Sequence, residues 1–122
     1  MREEIRIYTL GKFKVFRGKK NLSQNRKKLS KRWKLFQYLI TYRNREVSRE
    51  ELIMALDLNE NNNPEASLTA LVYRLRKLLK NNEYEKNLIK TIGAAYSFNN
   101  DFDYWLDVEY FQKLCRQSVS EV

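Results

Sequence analysis

The spacing of apolar residues changes twice along this chain, and that change constrains its fold more than any other feature. In residues 5–17 apolar and polar residues alternate, as in a strand with one buried face. From Ser30 to about residue 80 the apolar residues recur every three or four positions, as in amphipathic helices. Alternation returns over residues 88–98. A sheet, a set of helices and a hairpin in this order predict an α+β fold.

The first alternating segment predicts a small antiparallel sheet at the N-terminal end. Its two runs, residues 5–10 and 13–17, are separated by Gly11-Lys12, which is typical of a tight hairpin turn. A second turn at residues 17–21 is predicted to lead into a short strand near Leu22–Asn25. The front of the chain is therefore expected to form three short strands.

Three helices are predicted for the middle of the chain. The first runs from about Ser30 to Arg43, and Trp33 and Phe36 fall on its apolar face, which favours the core over base stacking. The third runs from about Pro64 to Lys80, with Asn63 as its N-cap and proline at the first helical position. Its apolar stripe consists of Leu68, Leu71, Val72, Leu75, Leu78 and Leu79.

The short second helix follows a capping box. The Ser48 hydroxyl can accept a hydrogen bond from the backbone N–H of Glu51, and the Glu51 carboxylate can reach back to Ser48. Its apolar face carries Leu52, Ile53 and Leu56, and the polar residues 57–63 that follow predict a loop before the third helix.

Two further elements are predicted after the helices. Leu88–Ile92 and Tyr96–Phe98, joined at residues 93–95, predict a second hairpin. Asp107 can cap a last helix that carries Val108, Phe111, Leu114 and Cys115 on one side. Cys115 is the sole cysteine, so no disulfide forms within the chain, and we expect it to be buried as a small apolar residue.

The predicted elements are those of a winged helix-turn-helix: a short helix, a turn, a longer amphipathic helix and a hairpin. In this motif the third helix lies in the major groove of DNA.

The charge distribution agrees with a nucleic-acid partner. The net charge is +9, and residues 1–50 carry 16 basic and 4 acidic side chains. A basic front favours a polyanion partner, although a solvated basic surface has the same composition.

The composition argues against an enzyme. Histidine is absent and one cysteine is present, which removes the commonest general base and a structural zinc site. The three glycines are isolated, so they form no phosphate-binding loop. We therefore expect no catalysis, no metal and no cofactor. No apolar run is long enough to span a membrane and no apolar signal region begins the chain, so the expected location is the cytoplasm.

The side of the third helix opposite its apolar stripe is the first candidate DNA surface. Small residues there let the helix approach base edges closely, and longer side chains can reach bases or phosphates. A solvated surface helix is the simpler interpretation, but small residues next to basic ones favour DNA. The candidate residues on this helix are Thr69, Ala70, Tyr73, Arg74, Arg76 and Lys77.

The second candidate surface is the basic segment over residues 26–34, at the start of the first helix. Six of its nine residues are basic. Lysines and helix N-terminal N–H groups together favour phosphate, although many such runs are only solvated turns. The candidate phosphate contacts are Lys27, Lys28, Lys31, Arg32 and Lys34.

Four segments carry a family resemblance: Ile7–Val15, Glu46–Leu52, Leu75–Leu79 and Ile89–Tyr96. In this order and spacing they resemble the OmpR/PhoB-type winged-helix domain over about residues 5–99. Within that family the chain is most similar to the SARP branch of antibiotic regulatory proteins.

The resemblance implies a bacterial transcription regulator that binds direct-repeat sites in double-stranded DNA, often as a head-to-tail pair. Residues 1–100 would be the DNA-binding domain, and residues 101–122 the start of a following helical regulatory domain. The DNA contacts of the family map onto Thr69, Tyr73, Arg74 and Arg76 in the third helix and onto Thr91 and Tyr96 in the hairpin, or wing.

Two other functions stay open at this point. The winged helix could bind protein, for example to recruit RNA polymerase, and an exposed apolar patch would favour that function. An RNA-binding module is the third interpretation, but the strands lack the paired aromatic residues on which such modules stack bases.

Overall fold

The computed structural model describes residues 5–23, 30–79, 88–100 and 104–120, with side chains up to residue 117. The chain divides into two compact units, which we call the sheet unit (residues 1–26 and 103–122) and the helical unit (residues 27–102). The elements in chain order are β1 (Ile5–Tyr8), β2 (Lys14–Arg17), β3 (Lys20–Asn21), α1 (Lys31–Thr41), β4 (Val47–Ser48), α2 (Arg49–Ala55), α3 (Pro64–Leu79), β5 (Ile89–Ile92), β6 (Ala95–Phe98), β7 (Tyr104–Leu106) and α4 (Asp107–Ser120).

The predicted N-terminal hairpin is confirmed in the sheet unit. Strands β1 and β2 pair antiparallel, with Ile7 opposite Val15, and β2 pairs antiparallel with β3. The third strand lies two residues earlier than the predicted Leu22–Asn25, and residues 24 and 25 lie outside the described residues. The strand ends early because the Asn21 side chain accepts hydrogen bonds from the N–H and the hydroxyl of Ser23, which turns the backbone.

Strand β7, which the sequence analysis missed, makes the first sheet mixed where a purely antiparallel one was predicted. It pairs parallel to β1, so the strand order is β3-β2-β1-β7. Helix α4 starts directly after it, and the Asp107 carboxylate accepts bonds of 2.9 Å from the backbone N–H groups of Thr9 and Leu10 and from the Thr9 hydroxyl. Burial raises the pKa of Asp107, but these hydrogen bonds outweigh it and the pKa lies below its usual value.

Among the α4 side chains that the structure describes, only those of the first turn are covered. Asp107 is buried and Val108 is half-buried, whereas residues 110–117 are all exposed. The expectation of a buried Cys115 was wrong, because the thiol lies on the uncovered part of the helix. Phe111, on the same predicted apolar side, is 56% exposed.

The helical unit contains α1, α2, α3 and a second sheet of strand order β4-β6-β5, all antiparallel. The predicted stripe of α3 faces the core, with Leu68, Val72, Leu75 and Leu79 buried and Leu71 and Leu78 half-buried. Trp33 and Phe36 are buried core residues, as predicted. The predicted helices and the second hairpin are present, with ends that differ by one or two residues.

The caps of α2 and α3 hold both helix starts. Ser48 Oγ accepts a 3.1 Å bond from the Glu51 N–H, as predicted, and Asn63 Oδ1 accepts a 3.1 Å bond from the Ala66 N–H. The predicted return bond from Glu51 is replaced, because its carboxylate accepts hydrogen bonds from Arg45 and from the Tyr38 hydroxyl. Among the described helices none is long and apolar enough to cross a membrane.

Candidate nucleic-acid interface

The outer face of α3 presents several side chains to solvent. Tyr73 is 60% exposed, and Thr69, Arg74 and Lys77 are also exposed, whereas Ala70 is half-buried. The Lys77 ammonium lies 5.2 Å from the centre of the Tyr73 ring, within the range of a cation–π interaction. This face therefore combines one small apolar residue with an aromatic ring and two cations.

The wing is the β5–β6 hairpin, and its turn is short. Gly93 and Ala94 connect the strands, and Gly93 has a φ of +57°, a conformation that favours glycine. Thr91 is exposed on β5, whereas Tyr96 on β6 is only 5% exposed. The two wing residues that the resemblance mapped to DNA contacts thus differ strongly in accessibility.

Arg76 connects α3 to the wing. Its Nη2 donates hydrogen bonds of 2.7 Å to the Thr91 hydroxyl and 2.9 Å to the carbonyl oxygen of Ile89. Its Nε is buried and has no hydrogen-bond partner within the described chain. Arg76 is half-buried and Arg74 exposed, so only Arg74 presents an open guanidinium on α3.

Arg49, the first residue of α2, makes a second connection between α3 and the wing. Nη2 donates bonds of 2.8 Å to the Thr69 hydroxyl and 2.9 Å to the Glu65 carbonyl oxygen, and Nη1 donates to the Tyr96 hydroxyl. Its guanidinium carbon lies 5.5 Å from the centre of the Tyr96 ring, and that of Arg76 lies 6.0 Å away. We call Arg49, Thr69, Arg76, Thr91 and Tyr96 the arginine cluster.

Residues 23–97 match the family described as "Transcriptional regulatory protein, C terminal". The chain belongs to this family. The OmpR/PhoB-type domain that the sequence predicted is thereby confirmed as the domain type, and these residues form the DNA-binding domain of a transcription regulator.

One similar solved structure is described as a RitR mutant. It shares 22% sequence identity with this chain at a TM-score of 0.56, and this likeness shows the fold alone. The match covers 70% of this chain but 36% of the other, so this chain spans well under half of that protein's length. No protein with curated function matches.

The family domain brings four predicted contact residues together: Thr69, Arg76, Thr91 and Tyr96 all belong to the arginine cluster. Arg49 was not among the residues that the sequence predicted to contact DNA. One signal for it was available, because a cation in the first turn of a helix is unfavourable next to the helix dipole. An arginine at that position therefore indicates a partner elsewhere in the fold.

The basic segment lies apart from that cluster in its hydrogen bonding. Lys31 and Lys34 are exposed and Arg32 is half-buried in the first turn of α1, whereas Lys27 and Lys28 lie outside the described residues. The Lys31 Nζ is 3.5 Å from the Asp57 carbonyl oxygen in the loop after α2. Within the described residues, no hydrogen bond joins these three side chains to α3 or the wing.

A charged cluster holds the start of α2, and with it Arg49. Arg45 Nη2 lies 2.7 Å from a Glu51 carboxylate oxygen, and the Tyr38 hydroxyl donates to the same oxygen. The hydrogen bonds from Arg45 and then from Tyr38 lower the pKa of Glu51 to about 2. The Glu51 carboxylate in turn raises the pKa of Tyr38.

The described residues contain no group of histidine, cysteine, aspartate and glutamate side chains that could hold a metal ion.

Proposed function

We propose that this chain reads double-stranded DNA sequence-specifically for a bacterial transcription regulator, with α3 in the major groove. The exposed outer face of α3 is the observation that carries the proposal. Thr69 and Ala70 allow close approach to base edges, and Tyr73 and Lys77 project from the following turns. Base contacts from this face supply the sequence preference.

The phosphate contacts come from exposed cations and from the wing. Arg74 flanks the outer face of α3, and Lys31 and Lys34 stand at the start of α1. Phosphate contacts give affinity on any sequence and make binding depend on salt. Because Arg76 is hydrogen-bonded to the wing, we assign it to holding Thr91 in place, with direct phosphate contact as the lesser role.

The wider context extends the family membership. We propose a cytoplasmic regulator of the SARP-like branch, with residues 1–100 binding DNA and residues 101–122 opening a helical regulatory domain. Direct-repeat sites would be occupied by two copies in head-to-tail order, and RNA polymerase would be the protein partner. These assignments rest on the sequence resemblance.

The test is selection of binding sites from a random-sequence duplex library, followed by salt titration of the selected site. Enrichment of a short direct repeat, with a log–log salt slope of roughly −4 to −6 from about five or six phosphate contacts, is the expected result. Absence of both enrichment and salt-dependent binding would contradict the proposal and favour the protein-binding alternative.

A further inference from the structure

We infer that Arg49 is the positioning residue of this DNA-binding domain: it fixes the N-terminal half of α3 relative to the wing and so sets sequence preference without itself contacting a base. The inference rests on the proposed function and adds a residue that neither composition nor family membership singles out. Its basis is the set of hydrogen-bond partners that Arg49 has in α3 and in the wing.

Arg49 is bonded to its surroundings through both its backbone and its side chain. Its N–H donates a 3.2 Å bond to the Ala94 carbonyl oxygen in the wing turn. Its guanidinium donates to Glu65 and Thr69 in the first turns of α3 and to the Tyr96 hydroxyl in β6. The start of α2, the start of α3 and the β6 side of the wing therefore meet at one residue.

The chemistry of the guanidinium suits this role. Its planar fork directs N–H groups from two nitrogens at fixed angles, and here the two nitrogens serve three acceptors on two elements. A lysine ammonium is a compact charge on a flexible stem and cannot hold the same three acceptors in one geometry. Arg49→Lys therefore keeps the positive charge and removes the fixed geometry.

The bonds to Arg49 also determine how two predicted DNA contacts can act. Thr69 Oγ1 accepts from Arg49, and its own hydrogen goes to the Glu65 carbonyl oxygen at 3.0 Å, which fixes the side-chain rotamer. The Tyr96 hydroxyl also accepts from Arg49, so its hydrogen points elsewhere. Within the described residues the hydroxyl hydrogen of Tyr96 has no acceptor, and a phosphate oxygen of DNA could accept it.

The test compares wild type with Arg49→Lys in two assays on the whole chain. The first measures affinity for the selected duplex and for random duplex at one salt concentration. We expect the ratio of the two affinities to fall about tenfold in Arg49→Lys, with random-duplex affinity within twofold of wild type because the charge remains. Arg116→Lys, at an exposed position on α4, is the matched control and should leave the ratio unchanged.

The second assay is amide hydrogen exchange in the wing, which needs no DNA. Faster exchange at residues 91–96 in Arg49→Lys, with the thermal midpoint lowered by only a few degrees, supports a positioning role. Tyr96→Phe removes only the hydroxyl, and the double variant should lose no more specificity than the more affected single variant if both act through the same bond.

Three results would overturn the inference. An unchanged affinity ratio in Arg49→Lys removes the positioning role, and an equal loss on selected and random duplex makes Arg49 a phosphate contact. Unchanged wing exchange overturns it independently of DNA. If wild type selects no site while wing exchange still rises in Arg49→Lys, the proposed function fails and Arg49 is left with a purely structural role.

Discussion

The guanidinium of Arg76 donates a 2.7 Å hydrogen bond to the hydroxyl of Thr91, so a side chain of α3 holds an exposed residue of the wing. Both residues were predicted to contact DNA, and they contact each other. Arg76 therefore has a structural role in joining α3 to the wing. Arg74, two residues earlier and exposed, does not share this role. The two arginines should behave differently when each is replaced.

Arg76→Ala should lower the free energy of unfolding by about 1–3 kcal/mol, because two hydrogen bonds from a charged donor are lost and the Ile89 carbonyl is left without that partner. Urea denaturation measures this change. Arg74→Ala is the control and should stay within about 0.5 kcal/mol of wild type, since surface substitutions usually do. Equal changes in the two variants would contradict the structural role of Arg76.

Glu51 makes the free energy of unfolding depend on pH. Its folded pKa of about 2 lies below the ordinary 4.5, so its stabilising effect is present above pH 4.5 and is lost as pH falls towards 2. In Glu51→Gln the fall in unfolding free energy between pH 5 and pH 2 should be smaller than in wild type. Tyr38→Phe removes one of the three hydrogen bonds to the carboxylate and should give an intermediate profile. Identical profiles in all three proteins would show that Glu51 is not paired.

Asp107 stabilises the sheet unit through hydrogen bonds that reach across the sequence. Asp107→Asn should lower the free energy of unfolding by about 2 kcal/mol, because the hydrogen bonds from Thr9 and Leu10 lose their charged acceptor. Thr9→Val removes only the hydrogen bond from the Thr9 hydroxyl and should lower the free energy of unfolding by less than Asp107→Asn does. Urea denaturation at pH 7 checks both. A change below about 0.5 kcal/mol in Asp107→Asn would mean that solvent replaces these bonds at no cost.

Tyr73→Ala should reduce sequence preference more than affinity for random duplex, since Tyr73 is exposed on the outer face of α3. The measurement is the ratio of affinities for selected and random DNA. Tyr110→Ala is the matched control, because Tyr110 is a similarly exposed tyrosine on α4. Equal losses on every sequence would assign Tyr73 to the phosphates.

The elements that the sequence predicted well are those whose signals are local. The apolar stripe of α3 and the caps at Ser48 and Asn63 lie within a few residues of the helices that they define, so spacing alone located those helices. The wing was predicted for the same reason, since Gly93 stands between two short alternating runs.

The features that were missed depend on residues far apart in the chain. Strand β4 is two residues long and exists because Val47 pairs with Tyr96. Strand β7 forms only beside β1, and nothing local in Tyr104–Leu106 indicates a parallel partner. Cys115 was expected to be buried because its helix face is apolar, but an apolar face does not show whether another element covers it.

The candidate site was predicted by residue type and only partly by role. Helical spacing placed Tyr73 and Lys77 on one exposed face, with Arg74 on its flank. They could not show that Arg76 is bonded to Thr91, because that bond joins two elements whose packing the sequence does not specify. Arg49 was hidden for the same reason, since its partners lie 16 to 47 positions further along the chain.

The parallel pairing of β1 with β7 has a consequence for the order of folding. The Thr9–Asp107 hydrogen bonds beside this pair join residues 98 positions apart. Closing so long a loop lowers the chain entropy before any stabilising contact forms. The helices and the wing, in contrast, form between residues that are near in the sequence. During synthesis β1 leaves the ribosome early and waits for most of the chain before its neighbour exists. The sheet unit should therefore be the last part of the molecule to become ordered, and its first strand the part most exposed to wrong pairing in the meantime.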